Sequence, residues 1–173
     1  MAAARLSRPP SADNRYGSAM HPSTQRIMDI IAKAGHASEV RVLADSTRTA
    51  AEAAAALGCD VGAIASSLVF LADGSPILVL TSGRHRVNTD ALAERIGARE
   101  VSRASAEQVR EATGQPIGGV APVGHPAPVT TYLDVALRDY EVLWAAAGTP
   151  HSVFNTSYDD LKTLTHALEV EVE

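Results

Sequence analysis

The sequence is short of several things, and each shortage removes a class of function. It holds one cysteine, Cys59, in 173 residues. A single thiol excludes an internal disulfide and a cysteine-based zinc site. Cys59 is read as a buried or semi-buried thiol rather than a nucleophile. Aromatic residues make up only 4% of the chain against 46% hydrophobic residues, so the core must be aliphatic and alanine-rich. No apolar run approaches the ~18 residues of a membrane-spanning helix, and no membrane partner is expected. The opening stretch, MAAARLSRPPSADNRYGSAM, lacks the continuous apolar centre of a secretion signal. A cytoplasmic setting fits.

Positive charge is also scarce. The formal net charge is −5. Residues 1–22 hold Arg5, Arg8 and Arg15 against Asp13, which makes that segment +2 and leaves −7 for the remainder. An acidic domain does not grip nucleic acid through a broad phosphate-neutralising surface. Any such contact must be local or supplied by a partner. The segment 1–22 is rich in alanine, serine and proline and has no apolar face, so a disordered tail is expected there. Met20 is an alternative translation start. The length suits one domain, placed at residues 23–170.

Six histidines show no metal spacing: there is no HxH, no HExxH and no carboxylate-flanked cluster. Neither a metal nor a cofactor is expected. Ser66 and Ser67 do not sit in a GxSxG turn, so a serine-hydrolase triad is not indicated.

What is present is a run of short, well-punctuated elements. PSTQRIMDIIAKAG places Ile27, Ile30, Ile31 and Ala34 at helical spacing, with Ser23 or Thr24 as cap and Gly35 as stop. VRVLA (40–44) reads as a strand. TAAEAAAALG (49–58) carries a capping box from Thr49 to Glu52 and ends in glycine. In SSLVFLADGSPILVLTSG two β-rich runs flank Asp-Gly, which predicts an antiparallel hairpin with both faces covered. NTDALAERIG and SAEQVREATG are two more capped helices. VTTYLDVAL, EVLWAAAG and HSVFNTS read as strands, and SYDDLKTLTHAL is a closing helix capped by Ser157 and Asp160. Short helices interleaved with hairpin-linked strands predict an α+β domain. Its sheet is expected to be mixed, mainly antiparallel, and curved or barrel-like.

Three stretches are candidate chemistry. GGVAPVGHP (118–126) packs glycines and prolines together, which suits either a plain connector or a rigid backbone wall beside a ligand. TSGRHRVNTD places Arg84, His85 and Arg86 between a strand and a helix start. They can bind phosphate or form a solvated basic turn. Gly148 ends a buried strand, and His151 follows it in a Gly/Pro loop, a reasonable position for a site residue.

Taken in order, several of these pieces resemble one family. GGVAP matches a Gly-x-x-x-Pro loop with Gly118 and Pro122 as its ends. SSLVF sits where the family has Lys-Ser/Thr-Leu-Val-Phe. AAAGTPHSVFNTSYDDLKTLT resembles its Gly-x-Pro-His segment and closing helix. Over about residues 24–168 the chain resembles the YbaK/EbsC family, which is similar to the editing insertion of bacterial prolyl-tRNA synthetase. The resemblance implies a metal-independent, trans-acting deacylase that hydrolyses the ester of mischarged tRNA. It implies the tRNA 3′ CCA end as partner, with an aminoacyl-tRNA synthetase as a further one. The implied ester site is shaped by Gly118, Gly119 and Pro122, whose loop amides hold the carbonyl. His151 orients substrate or water, Ser66 and Ser67 line the pocket beside Gly148, and the substrate's own 2′-hydroxyl assists. The family lysine aligns with Ser66, so Arg84 or Arg86 is expected to take the phosphate. That departure keeps a second reading open, a non-catalytic module binding a small aminoacyl or nucleotide-like ligand. A third is an interaction scaffold with a vestigial pocket.

Overall fold

The structure, a computed structural model, describes residues 20–43 and 49–173. Most of the expected tail, and Ala44 of the expected first strand, lie outside these residues. The helices are α1 (Pro22–Lys33), α2 (Ala50–Leu57), α3 (Thr89–Ile96), α4 (Ala106–Thr113) and α5 (Tyr158–Thr165). The strands are β1 (Val40–Val42), β2 (Ile64–Ala72), β3 (Ser75–Ser82), β4 (Val101–Arg103), β5 (Thr130–Asp134), β6 (Leu143–Ala146), β7 (Ser152–Thr156) and β8 (Leu168–Val170).

Local chemistry sets most of these boundaries. Thr49, Asn88, Ser105 and Ser157 each accept an amide from the first turn of the helix that follows. Ser105 and Gln108 complete a reciprocal capping box. α1 departs from expectation. His21, not Ser23 or Thr24, caps it, with Nδ1 accepting the Ser23 amide at 3.1 Å. Pro22 occupies the first helical position, where its fixed φ and missing N–H suit a helix start. The helix therefore begins before either hydroxyl residue.

The hairpin of β2 and β3 is the centre of the domain. Asp73 and Gly74 both have positive φ, 49° and 82°, the pairing of a type I′ turn. The Asp73 carboxylate also accepts the Arg99 and Glu100 amides, which ties the hairpin tip to the approach of β4. On β3, Leu78 and Leu80 join one apolar cluster while Ile77 and Val79 join another. The period of two thus sends alternate residues to opposite faces. One face is covered by Ile27 and Ile31 of α1 with Leu161 of α5. The other is covered by Leu92 and Ala93 of α3. Both faces of the hairpin are covered, as its continuous apolar runs predict.

All eight strands form one sheet of order β1-β7-β6-β2-β3-β5-β8, with β4 paired to the far end of β2. Four pairings are antiparallel and three, β2–β6, β3–β5 and β5–β8, are parallel. The α+β class and mixed sheet agree with the sequence. The barrel-like option does not: the sheet runs from β1 to β8 and is not closed. The packed domain takes in Met20 at one end and Val172 at the other. Among the described residues no helix is long and apolar enough to cross a membrane.

Candidate functional site

A cavity of about 350 Å³ opens over β2. Its floor is β2 from Ile64 to Phe70, and Ala50 and Ala53 of α2 form one wall. Trp144 to Ala146 of β6, Gly118 and Val120, and the segment His85–Val87 form the others. The lining is aliphatic with hydroxyl groups set into it: Ser66, Ser67, Thr149 and Ser152. Ser67 Oγ is buried and has no hydrogen-bond partner among the described residues. A buried hydroxyl left unpaired costs free energy unless a ligand or water meets it.

The glycine-rich loop is held from behind. Gln115 is buried; its Oε1 accepts the Ala121 amide at 2.6 Å and its Nε2 donates to the Val123 carbonyl at 3.1 Å. His125 Nε2 donates to the Ala121 carbonyl at 3.0 Å. Burial pushes the His125 imidazole below its ordinary 6.5, the Ala121 bond opposes that, and the charge of Arg26 adds to it. Residues Pro116–Gly119 form a tight turn, with the Gly119 amide donating to the Pro116 carbonyl at 3.0 Å and Gly118 at φ +87°. The Gly119 and Ala121 amides are therefore committed to holding the loop. The Gly118 and Val120 amides meet no acceptor among the described residues, and it is Gly118 and Val120 that line the cavity. The stretch is a braced wall, not a slack connector.

The expected site residues separate into two groups. Ser66, Ser67, Gly118 and Arg86 line the cavity. Gly119 stands behind it, backed against Thr149 and Pro150. Pro122 is buried and lines a different, open cleft with His125 and Pro126. His151 is exposed and outside the cavity wall; its carbonyl accepts the Leu43 amide at 2.7 Å. Gly148 is packed near the Ser23 backbone. Arg84 turns away: its Nη2 meets Asp139 Oδ2 at 2.7 Å and its Nη1 donates to the Tyr140 hydroxyl at 3.1 Å. Of the two arginines expected to take phosphate, Arg86 lines the cavity and Arg84 is engaged elsewhere.

Two residues were not singled out from the sequence, one on the wall and one buried behind it. Arg103, at the end of β4, lines the cavity, exposed and with no carboxylate partner among the described residues. Nothing local marked it, because β4 is three residues long and pairs with β2 across a distance in sequence. Asp134 is fully buried and holds His85, the one histidine on the cavity wall, through Nδ1 at 2.9 Å. The 49 residues between His85 and Asp134 hid that pair.

The comparisons with known proteins decide the family. Residues 44–164 match the model of the aminoacyl-tRNA editing domain. The chain belongs to that family. It is 29% identical to proline–tRNA ligase of Geobacter sulfurreducens over 134 residues, 73% of this chain and 24% of the ligase. It is 36% identical to the same enzyme of Bacillus licheniformis over 61% of this chain and 19% of the ligase. The chain thus spans a quarter or less of these ligases. It is 30% identical to the uncharacterized protein YwhH of Bacillus subtilis, over 67% of this chain and 74% of YwhH. Among solved structures, one provisionally described as a trans-editing enzyme for prolyl tRNA synthetase has a TM-score of 0.83. It is 39% identical, with 90% of this chain and 99% of that one covered. The protein is an editing domain related to a segment of proline–tRNA ligases.

Proposed function

We propose that this editing domain is a trans-acting aminoacyl-tRNA deacylase. It hydrolyses the ester between a wrong amino acid and the terminal adenosine of tRNA. One observation carries the reading: two uncommitted amides, of Gly118 and Val120, lie on a braced loop at the wall of a largely apolar cavity. The ester carbonyl accepts from these amides. They stabilise the oxyanion as water attacks, and being already in place they need no reorganisation at that moment. The family resemblance implies that the substrate's own 2′-hydroxyl helps to activate the water. Arg86 and Arg103 meet the 3′ CCA backbone. Such local contacts suit an acidic domain. Likeness to a trans-editing protein over 99% of its length supports action in trans.

The test is deacylation of a panel of mischarged tRNAs. Likeness to proline–tRNA ligases makes the charging errors of that enzyme the first to assay. Turnover is expected with ordinary tRNA and lost with a 2′-deoxy terminal adenosine. No deacylation above the uncatalysed rate anywhere in the panel overturns the proposal.

Ser66 carries a second reading. The resemblance sets a lysine at this strand position, and serine offers a hydrogen bond without charge. A module that binds the acylated RNA end without turning it over would show affinity and no hydrolysis in the same assay.

A further inference from the structure

The cavity has two flanks, fixed by strand order. β2 lies between β6 and β3. Gly119 is backed against Thr149 and Pro150, just past the end of β6. His85 follows the end of β3, whose last residue, Ser82, pairs with Ala65. The carbonyl-binding amides and His85 therefore stand on opposite flanks of the β2 floor. Whatever reaches both extends beyond the acyl group.

His85 is held in one orientation. Asp134 is 0% exposed. Its Oδ2 accepts His85 Nδ1–H at 2.9 Å and the Ser82 amide at 3.0 Å, and its Oδ1 accepts the Ala136 amide at 3.0 Å. A carboxylate at Nδ1 fixes the ring and leaves Nε2 as the open position. On the Nε2 side stands Glu173, whose Oε2 is 3.9 Å away, beyond hydrogen-bond range. Among the described residues the charged groups beside the ring are Asp134, from the end of β5, and Glu173, and Arg86 lines the same cavity. Arg84, the other chain neighbour of His85, is bound to Asp139.

Resting on the deacylase reading of this cavity, we propose that the protonated ring of His85, set in place by Asp134 at Nδ1, donates its Nε2–H to a backbone phosphate of the RNA end beside Arg86. Asp134 is the positioning residue. His85 is the contact. With the Nδ1 hydrogen given to Asp134, only the charged ring carries a hydrogen on Nε2, and its charge matches that of the phosphate.

The probes are the dinucleotide CpA, whose phosphodiester carries one negative charge, and adenosine, which lacks the phosphate. Calorimetry on the full chain is expected to show CpA binding about tenfold tighter than adenosine near about pH 6. His85→Gln is expected to remove most of the advantage while adenosine affinity stays. Arg84→Ala is expected to change neither. Asp134→Asn, where it folds, should reproduce the His85→Gln profile. An unchanged CpA advantage in His85→Gln overturns the His85 assignment alone. A wild-type protein that binds neither probe overturns the reading of the cavity beneath it.

Discussion

Gln115 takes the place of a strand partner for Ala121. Its Oε1 accepts the Ala121 amide at 2.6 Å while its Nε2 donates to the Val123 carbonyl at 3.1 Å. One buried side chain thereby satisfies two backbone groups of a loop that pairs with no strand. Gln115→Ala leaves both unpaired in the interior, at a cost of ~1–3 kcal/mol. Denaturant unfolding should show that loss, and deacylation should fall with it because the loop amides lose their fixed position. A stability change within ~0.5 kcal/mol, the range of surface substitutions, would mean the brace is not a real restraint.

The two glycines of the loop should fail for different reasons. Gly118 has φ +87° and open space around the site of a Cβ, so Gly118→Ala meets backbone strain alone, ~1–2 kcal/mol. A Cβ on Gly119 would stand 2.8 Å from the Thr149 carbonyl carbon and 2.9 Å from the Pro150 nitrogen. Backbone atoms do not swing aside, so Gly119→Ala must push the loop off its neighbour. Turnover is expected to fall at least tenfold in Gly119→Ala, about 1.4 kcal/mol in the barrier. In Gly118→Asn, which tolerates positive φ, it should fall less than in Gly118→Val. Equal activity in Gly118→Asn and Gly118→Val would count against the strain argument.

Much of this fold is legible in the sequence because its signals are local. Asp73-Gly74 between two apolar runs forms the hairpin, and Thr49, Asn88, Ser105 and Ser157 each cap the helix that follows them. The strands β4 and β8 were missed, since three residues carry no period and both owe their pairing to distant partners. The site was half legible. Ser66, Ser67, Arg86 and Gly118 reach the cavity. What separates Arg84 from Arg86 is Asp139 and Tyr140, 55 and 56 residues beyond Arg84, which no local pattern joins to it.

His125 makes the loop sensitive to acid. Burial lowers its folded-state value below the ordinary 6.5. The folded protein then binds this proton less readily than the unfolded chain. The stability it contributes is full above 6.5 and is lost as pH falls through the lowered folded value. Melting temperature should therefore decline on acidification below 6.5 more in the wild type than in His125→Gln. Parallel declines in the two proteins would remove His125 from the account.

Glu169 works in a lower window. The Arg138 guanidinium holds its carboxylate down at about 2, with the Tyr158 hydroxyl assisting and Lys162 adding to it. Its folded-state value is depressed, so its contribution is present above the ordinary 4.5 and lost as pH falls toward about 2. Glu169→Gln should flatten the stability profile between those two values and leave the slope above 4.5 unchanged. Thermal melts across that range decide the matter, and an unaltered acid limb would show that the pair contributes nothing there.

Ser66→Lys tests the charge that the cavity floor lacks. Ser66 sits on β2 opposite Thr81 and lines the cavity with Arg86. A lysine there places an ammonium beside the proposed phosphate path. A charge-assisted contact is about twice as strong as a neutral one. CpA binding should tighten, and its salt dependence should steepen by close to one further phosphate contact. The partner of this effect can be read from double-mutant cycles. Arg84 is held by Asp139 and Tyr140, so Ser66→Lys and Arg84→Ala should add independently. Arg86 shares the cavity wall, so Ser66→Lys should recover much of what Arg86→Ala loses, a coupling of ~0.5–3 kcal/mol. Coupling to Arg84 in place of Arg86 would reverse the assignment of the phosphate contact. Additivity with both would show that the lysine meets no phosphate at all.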